Sequence, residues 1–302
     1  MALQFILGGS ASGKSYNAYS KIISEAAKDR NASFFVIVPE QFTMQTQRDL
    51  VMMSEKKGIS NIDVLSFMRL AYRVFEEVGE PDRLTLEDTG KNMVIRKLLN
   101  EKKDDLVYYG RARGKQGFTE ELKSLITELY QYCVSPEALD KVTEGLEGHP
   151  LLRNKLKDVN LIYKSFGEFK KDKYITAEEV LDLLCICLER SKSLKNSVIL
   201  FYGFTGFTPS QVKVLRILLG MAKDVLVTVT IDPEVNPSNT GEFDLFALSA
   251  KTIRTLLKVA DEEGVTVAKD FYTDHKHENP EIAALERNIF RYPYEKYDKE
   301  IN

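Results

Sequence analysis

The chain opens with an apolar stretch, a glycine-rich turn and an amphipathic segment in direct succession. Residues 3–7 are mainly apolar, and the sequence GGSASGKS follows at residues 8–15. After the turn, apolar side chains recur at the spacing of one helical face, at Tyr19, Ile22, Ile23 and Ala26. A strand that leads through a short glycine loop into a helix is the beginning of an α/β fold, and we expect that class here.

The turn matches the pattern G-x-x-x-x-G-K-[ST] residue for residue. Glycines let successive backbone N–H groups point at one anion, and a helix N-terminus adds partial positive charge. We expect Lys14 to reach the β- and γ-phosphates of ATP and Ser15 to hold Mg²⁺. The alternative is a glycine-rich turn with a chance Lys-Ser pair. The predicted nucleotide-binding residues are Gly8, Gly9, Ser10, Ala11, Ser12, Gly13, Lys14 and Ser15.

Further strand candidates are short and almost continuously apolar, as strands of a parallel sheet covered on both faces are. They lie at residues 34–38, 62–65, 198–201 and 225–231. Residues 85–192 between them favour helices throughout, with no strand-like alternation. The pattern predicts an all-helical domain inserted into a parallel α/β domain. We expect the α/β domain to comprise residues 1–82 and 195–302 and the inserted helical domain to comprise residues 83–194.

Composition restricts the class of protein further. The 302 residues carry a net charge of −3, so no overall positive field draws the chain to nucleic acid or an acidic membrane. Three cysteines are too few for a disulfide framework, which favours a reducing, cytoplasmic setting. No apolar stretch approaches the length of a membrane span, and no secretion signal precedes the first strand. We therefore expect no membrane partner.

Several stretches together resemble one family. GGSASGKS, VPEQFTMQTQRDL, VLSFMRLAYRVFEEVG, LTLEDTGKNMVIRKLL and FYGFTGFTPSQ occur in the order found at the N-terminus of AddB, one of the two proteins of the bacterial AddAB helicase–nuclease. The resemblance covers essentially the whole chain. It implies a RecA-like superfamily 1 helicase domain (domain 1A) with a helical insertion (domain 1B). It also implies a role in double-strand break repair and recombination, together with an AddA-type helicase–nuclease partner.

Family members are much longer and end in an exonuclease domain with an iron–sulfur cluster. The resemblance implies that this chain is an N-terminal fragment and that the cluster and the nuclease belong to the part it lacks. Motor helicases of this type carry an Asp-Glu pair after the strand at 198–201, whereas Tyr202 and Gly203 stand here. A phenol cannot replace an anionic metal ligand, so we expect ATP binding with little or no hydrolysis. Glu40 and Asp232 are possible substitutes.

The family resemblance also implies a reader of single-stranded DNA, specifically of a Chi-type sequence. Aromatic rings can stack on bases, and amide and guanidinium groups can read base edges. The alternative is that Phe67 and Tyr72 are core aromatics of an amphipathic helix and that Arg69 faces solvent. The positions that match the DNA site are Gln41, Thr43, Phe67, Arg69, Tyr72 and either Phe204 or Phe207.

Two other functions remain open from the sequence. A P-loop kinase or other small-molecule phosphotransferase would need a catalytic base for its substrate, and the sequence offers no clear one. A structural scaffold would bind the nucleotide only to rigidify the fold.

Overall fold

The structure, a computed structural model, describes residues 2–80, 84–112, 114–171, 173–273, 279–291 and 293–298. Its strands, in chain order, are β1 (Ala2–Gly8), β2 (Phe34–Ile37), β3 (Ile62–Leu65), β4 (Leu84–Leu86), β5 (Tyr174–Thr176), β6 (Val198–Phe201), β7 (Asp224–Thr230), β8 (Thr266–Val267) and β9 (Phe271–Tyr272). The α-helices are α1 (Lys14–Lys28), α2 (Thr43–Met53), α3 (Phe67–Val78), α4 (Asp88–Glu101), α5 (Gln116–Gln131), α6 (Pro136–Glu144), α7 (Pro150–Lys170), α8 (Ala177–Leu188), α9 (Pro209–Met221), α10 (Ala247–Glu262) and α11 (Pro280–Asn288). None of the helices described is both long and apolar enough to cross a bilayer.

The chain divides into two compact units. The first unit contains Met1–Leu70, Leu188–Phe207 and Leu215–Asn302, and the second contains Ala71–Cys187 and Thr208–Val214.

A parallel β-sheet forms the centre of the first unit. Its strands are ordered β3-β2-β6-β7-β1-β8, and β9 pairs with β1 beyond the end of β8. Every pairing in this sheet is parallel, so the carboxyl ends of the strands meet at one edge. The predicted α/β class and all five predicted strands are confirmed. The two-residue strands β8 and β9 were not predicted, because two residues carry no periodic signal.

Burial explains why these sequences form strands. Every residue of β2 and of β6 is buried, because helices cover both faces of the sheet. The first helix, α1, places Tyr19, Ile22 and Ala26 against the strands, which confirms the predicted apolar face.

The second unit contains helices α4 to α8 around its own apolar core. The prediction of an all-helical segment is wrong in one respect, because β4 and β5 pair in parallel within it. Strands of three residues are too short to show alternation in the sequence. A capping box begins α8: the Thr176 N–H donates to Glu179 Oε2 at 3.0 Å, and the Glu179 N–H donates to Thr176 Oγ1 at 3.4 Å.

Candidate functional site

The glycine-rich turn connects the carboxyl end of β1 to the first residue of α1. Ala11 and Gly13 have left-handed backbone conformations, with positive φ values of 53° and 85°. Gly13 is the N-cap residue of α1, and as a glycine it places no side chain over the helix terminus. This terminus is therefore suited to an anion, because its first N–H groups have no partner within the helix.

Gly8 lies where no larger residue fits. A Cβ atom built on Gly8 would lie 2.3 Å from Thr273 Oγ1 and 2.4 Å from Ser12 Oγ. These two hydroxyls are hydrogen-bonded to each other at 2.7 Å, and the Thr273 N–H donates to the Leu7 carbonyl at 2.8 Å. The start of the loop is thus held against the residue that follows β9, and glycine is required there for close approach.

Lys14 lies along the inside of the loop. Its Nζ donates to the Gly9 carbonyl oxygen, so the ammonium group is already directed across the turn. Burial lowers the pKa of Lys14, and the nearby negative charge of Glu286 opposes that shift. The ammonium group therefore sits in a partly desolvated position, where its attraction for an anion is stronger than at the surface.

Glu286 on α11 is a carboxylate at this site that the sequence analysis did not find. A Cβ atom on Gly9 would lie 2.8 Å from Glu286 Oε1, which shows that the carboxylate lies directly against the loop. A cleft of about 750 Å³ runs past the loop and is lined by Gly9, Asp232, Glu286 and Arg291, among others. No motif marks Glu286 in the sequence, because only the packing of α11 brings it to a loop far away along the chain.

Ser15, the last residue of the motif, is paired with the residue that follows β6. Its Oγ lies 2.6 Å from the hydroxyl oxygen of Tyr202, across a sequence separation of 187 residues. The ring of Tyr202 packs against Tyr19 with centroids 4.9 Å apart, and its N–H donates to the Ile37 carbonyl. Burial raises the pKa of Tyr19, whose hydroxyl donates to Thr46. A hydrogen bond between two hydroxyls therefore joins the start of α1 to the residue that follows β6.

The two acids considered as substitutes are both engaged with arginine. Glu40 pairs with Arg69 at 3.8 Å. Asp232 pairs with Arg291 at 2.7 Å and accepts the Glu234 N–H at 2.9 Å. Although burial acts to raise the pKa of Asp232, these two contacts hold it below its usual value. Each acid thus already has a positively charged partner.

The predicted DNA-contacting residues of the first unit lie after β2, β3 and β6, which are adjacent strands. Gln41 and Arg69 are exposed. Thr43 is buried, and its hydroxyl donates to the Glu40 carbonyl at 3.0 Å. These strands end at the same edge of the sheet, so their following residues share one surface.

Phe67 is a core residue in this structure. It is 6% exposed, and its ring packs against Phe201 and Phe204 with centroid separations of 5.8 and 5.5 Å. Its ring is therefore not available for stacking on a base, as the core alternative expected. Phe204 and Phe207 are half-buried and pack on each other at 5.0 Å. Phe42, which the sequence analysis did not single out, is 42% exposed beside Gly203.

Tyr72 belongs to the second unit and is 41% exposed. Its hydroxyl lies 2.7 Å from Thr85 Oγ1, and its ring meets Phe75 edge to face at 6.0 Å. The side chain is therefore not a core residue, because it is partly exposed, and it is not free to turn, because its hydroxyl is hydrogen-bonded.

Comparison with known protein families shows to which family the chain belongs. The family model described as "ADDB, N-terminal" matches residues 5–286. The chain belongs to the AddB N-terminal family. Relatives named as the B-type component of an ATP-dependent helicase/deoxyribonuclease match over almost its whole length. It is 46% identical to the one from Lachnoclostridium phytofermentans, 38% to that from Caldanaerobacter subterraneus subsp. tengcongensis and 32% to that from Bacillus cereus.

The alignment to the relative from Lachnoclostridium phytofermentans covers 99% of this chain but 27% of that protein. The chain thus spans about a quarter of the AddB relatives it matches. The name of these relatives describes them as subunits of a helicase and deoxyribonuclease. Within the described ranges, no three His, Cys, Asp or Glu side chains converge on a common metal position.

Proposed function

We propose that this AddB region binds the triphosphate of ATP in the loop after β1 and hydrolyses it weakly or not at all. Lys14 and the N-terminal N–H groups of α1 would hold the phosphates. The observation that carries the proposal is the 2.6 Å contact between Ser15 and Tyr202. The residue beside Ser15 has an uncharged hydroxyl and no carboxylate, which supports weak or absent hydrolysis. We further propose that the first unit is a RecA-like domain and that the second is its inserted domain.

The residues of the loop fit a triphosphate but do not fit Mg²⁺. The left-handed conformations of Ala11 and Gly13 allow backbone N–H groups of the loop to donate to phosphate oxygens. The ammonium group of Lys14 adds positive charge. Mg²⁺ in such sites is bound by carboxylate, phosphate and water oxygens in addition to the hydroxyl. The strand end beside Ser15 provides only the Tyr202 phenol, whose oxygen already contacts the Ser15 hydroxyl.

Binding and turnover of ATP, measured side by side, test this proposal. We expect the 302-residue chain to bind a fluorescent ATP analogue and to release little phosphate above background. Lys14→Ala should weaken binding by about tenfold to a hundredfold, because it removes a charge-assisted hydrogen bond to the phosphates. Lys28→Ala, at the opposite end of α1, is the matched control and should bind as the wild type does.

Two results would contradict the proposal. Binding that Lys14→Ala leaves unchanged would place the nucleotide elsewhere. Steady-state phosphate release that is lost in both Lys14→Ala and Glu286→Gln would show that Glu286 supplies the missing carboxylate. If ATP raised the melting temperature of the chain without any effect on DNA binding, the scaffold alternative would be favoured.

We also propose that the surface formed by the ends of β2, β3 and β6 contacts single-stranded DNA. Gln41 and Arg69 are exposed there and have the amide and guanidinium groups that read base edges. Phe204 and Phe207 provide half-exposed rings. Phe67 supports Phe204 from beneath, and Tyr72 is a separate proposed contact in the second unit. In this proposal the strand emerges from a duplex end that an AddA-type partner opens during double-strand break repair.

Selection from a random pool of single-stranded oligonucleotides tests the DNA proposal. We expect the wild-type chain to enrich one short sequence and Arg69→Ala to lose that enrichment while still binding random strands. The loss corresponds to about 1–3 kcal/mol of discrimination for one base-reading guanidinium. Phe204→Ala should weaken all strands, because stacking on an aromatic ring is tolerant of sequence.

Arg30→Ala is the matched control, since Arg30 is exposed and precedes β2 at the opposite edge of the sheet. It should enrich the same sequence as the wild type. Equal losses for Arg69→Ala and Arg30→Ala would mean that general charge, and not base reading, accounts for the binding.

A further inference from the structure

The hydroxyl pair of Ser15 and Tyr202 joins the first turn of α1 to the carboxyl end of β6. The Tyr202 N–H continues the pairing of β6 with β2 through the Ile37 carbonyl at 2.9 Å. The ring of Tyr202 packs on the buried Tyr19. Tyr202 is thus a partly buried residue at the margin of the apolar core of the first unit. The phenol is therefore held beside Ser15 from two directions.

Three acidic residues of the first unit, Glu40, Asp232 and Glu286, contact groups other than the hydroxyl pair of Ser15 and Tyr202. Glu40 and Asp232 each face an arginine, and Glu286 lies against Gly9 at the other end of the loop. A phenolic hydroxyl carries no charge at neutral pH, so it contributes little to binding a hard divalent cation. It is, however, a good hydrogen-bond donor to a phosphate oxygen.

We propose that this loop binds the nucleotide triphosphate without a divalent cation and that the Tyr202 hydroxyl occupies the place of the metal as a phosphate-binding group. The inference rests on the proposed nucleotide binding and adds a binding residue to it. Tyr202 can accept the hydrogen of Ser15 and donate its own to a phosphate oxygen, so both hydroxyls stay paired when the ligand binds. The negative charge of the triphosphate is then balanced by Lys14 and the loop N–H groups.

Titration of the 302-residue chain with a fluorescent ATP analogue, in Mg²⁺ and in EDTA, tests this inference. The two dissociation constants of the wild type should agree within about threefold. Tyr202→Phe keeps the ring on Tyr19 but loses the donor, and it should weaken binding about tenfold in both buffers. Tyr202→Asp should make binding depend on Mg²⁺ by about tenfold or more, because its carboxylate repels a bare triphosphate and ligates the metal.

Tyr16→Phe is the control, since Tyr16 is an exposed tyrosine of α1 whose hydroxyl has no part in the proposed site. It should match the wild type in both buffers. A wild-type affinity that rises about tenfold or more with Mg²⁺, or a Tyr202→Phe variant that binds like the wild type, would overturn the inference and leave nucleotide binding intact. Failure to bind in either buffer would instead refute the proposed function.

Discussion

Gly8→Ala should weaken nucleotide binding by about 10²-fold and destabilise the first unit by about 3 kcal/mol, the upper part of the usual range for overpacking. The new methyl group would lie 2.3 Å from Thr273 Oγ1, 2.4 Å from Ser12 Oγ and 2.7 Å from the Thr273 carbonyl oxygen. A side chain can rotate away, but the carbonyl belongs to backbone that is hydrogen-bonded to Leu7. Either β9 or the loop must therefore move.

A movement of about 1 Å in the loop is enough to lower affinity by about 10²-fold, because the N–H groups must converge on one phosphate. Fluorescent ATP titration and thermal unfolding measure the two effects. Gly206→Ala is the matched control, since its new methyl group would meet only Thr252 Oγ1 at 3.6 Å, an ordinary contact. Normal binding by Gly8→Ala would mean that the loop adapts to the methyl group, and it would contradict the close packing of Gly8 against Thr273.

Asp158→Ala should destabilise the second unit by about 4 kcal/mol, because it removes a buried carboxylate and leaves its donors unpaired. Asp158 on α7 is 2% exposed. Its carboxylate accepts the N–H groups of Val107, Tyr108 and Tyr109 at 2.8, 2.8 and 2.7 Å. One side chain thus holds the loop between α4 and α5, and water cannot readily replace it at a buried position.

Hydrogen exchange at these three amides, together with thermal unfolding, measures the effect in the second unit. Asp158→Asn keeps one carbonyl acceptor and should cost about half as much. Asp104→Ala, in the same loop but exposed, should leave the exchange of the three amides unchanged. Unaltered protection in Asp158→Ala would show that the loop is held by other contacts.

The local elements of this protein could be predicted well from residue patterns. The glycine loop has a fixed spacing, and each of the five predicted strands is a run of apolar residues long enough to be distinctive. Capping boxes depend on side chains three residues apart, so the one at Thr176 and Glu179 was visible in the sequence itself. The short strands β4, β5, β8 and β9 were not, because their stability comes from partners elsewhere in the chain.

The candidate site likewise has some features that the sequence predicts and others that depend on tertiary packing. The order of the motifs was enough to indicate the AddB family, and the absence of an acid after β6 can be read directly from Tyr202 and Gly203. Tertiary packing alone showed that Phe67 is covered by Phe201 and Phe204, since a helix pattern does not tell which aromatic faces outward. Packing alone also brought Glu286 to Gly9.

Sequence by itself therefore determined that a glycine-rich loop with the spacing G-x-x-x-x-G-K-S precedes α1, because that spacing is contained in consecutive residues. Only the tertiary structure decided what faces the loop. The contact of Ser15 with Tyr202 depends on how β6 is aligned in the sheet and on the packing of Tyr202 against Tyr19. Such contacts join residues far apart in the chain, and their geometry follows from the register of the sheet and the filling of the core.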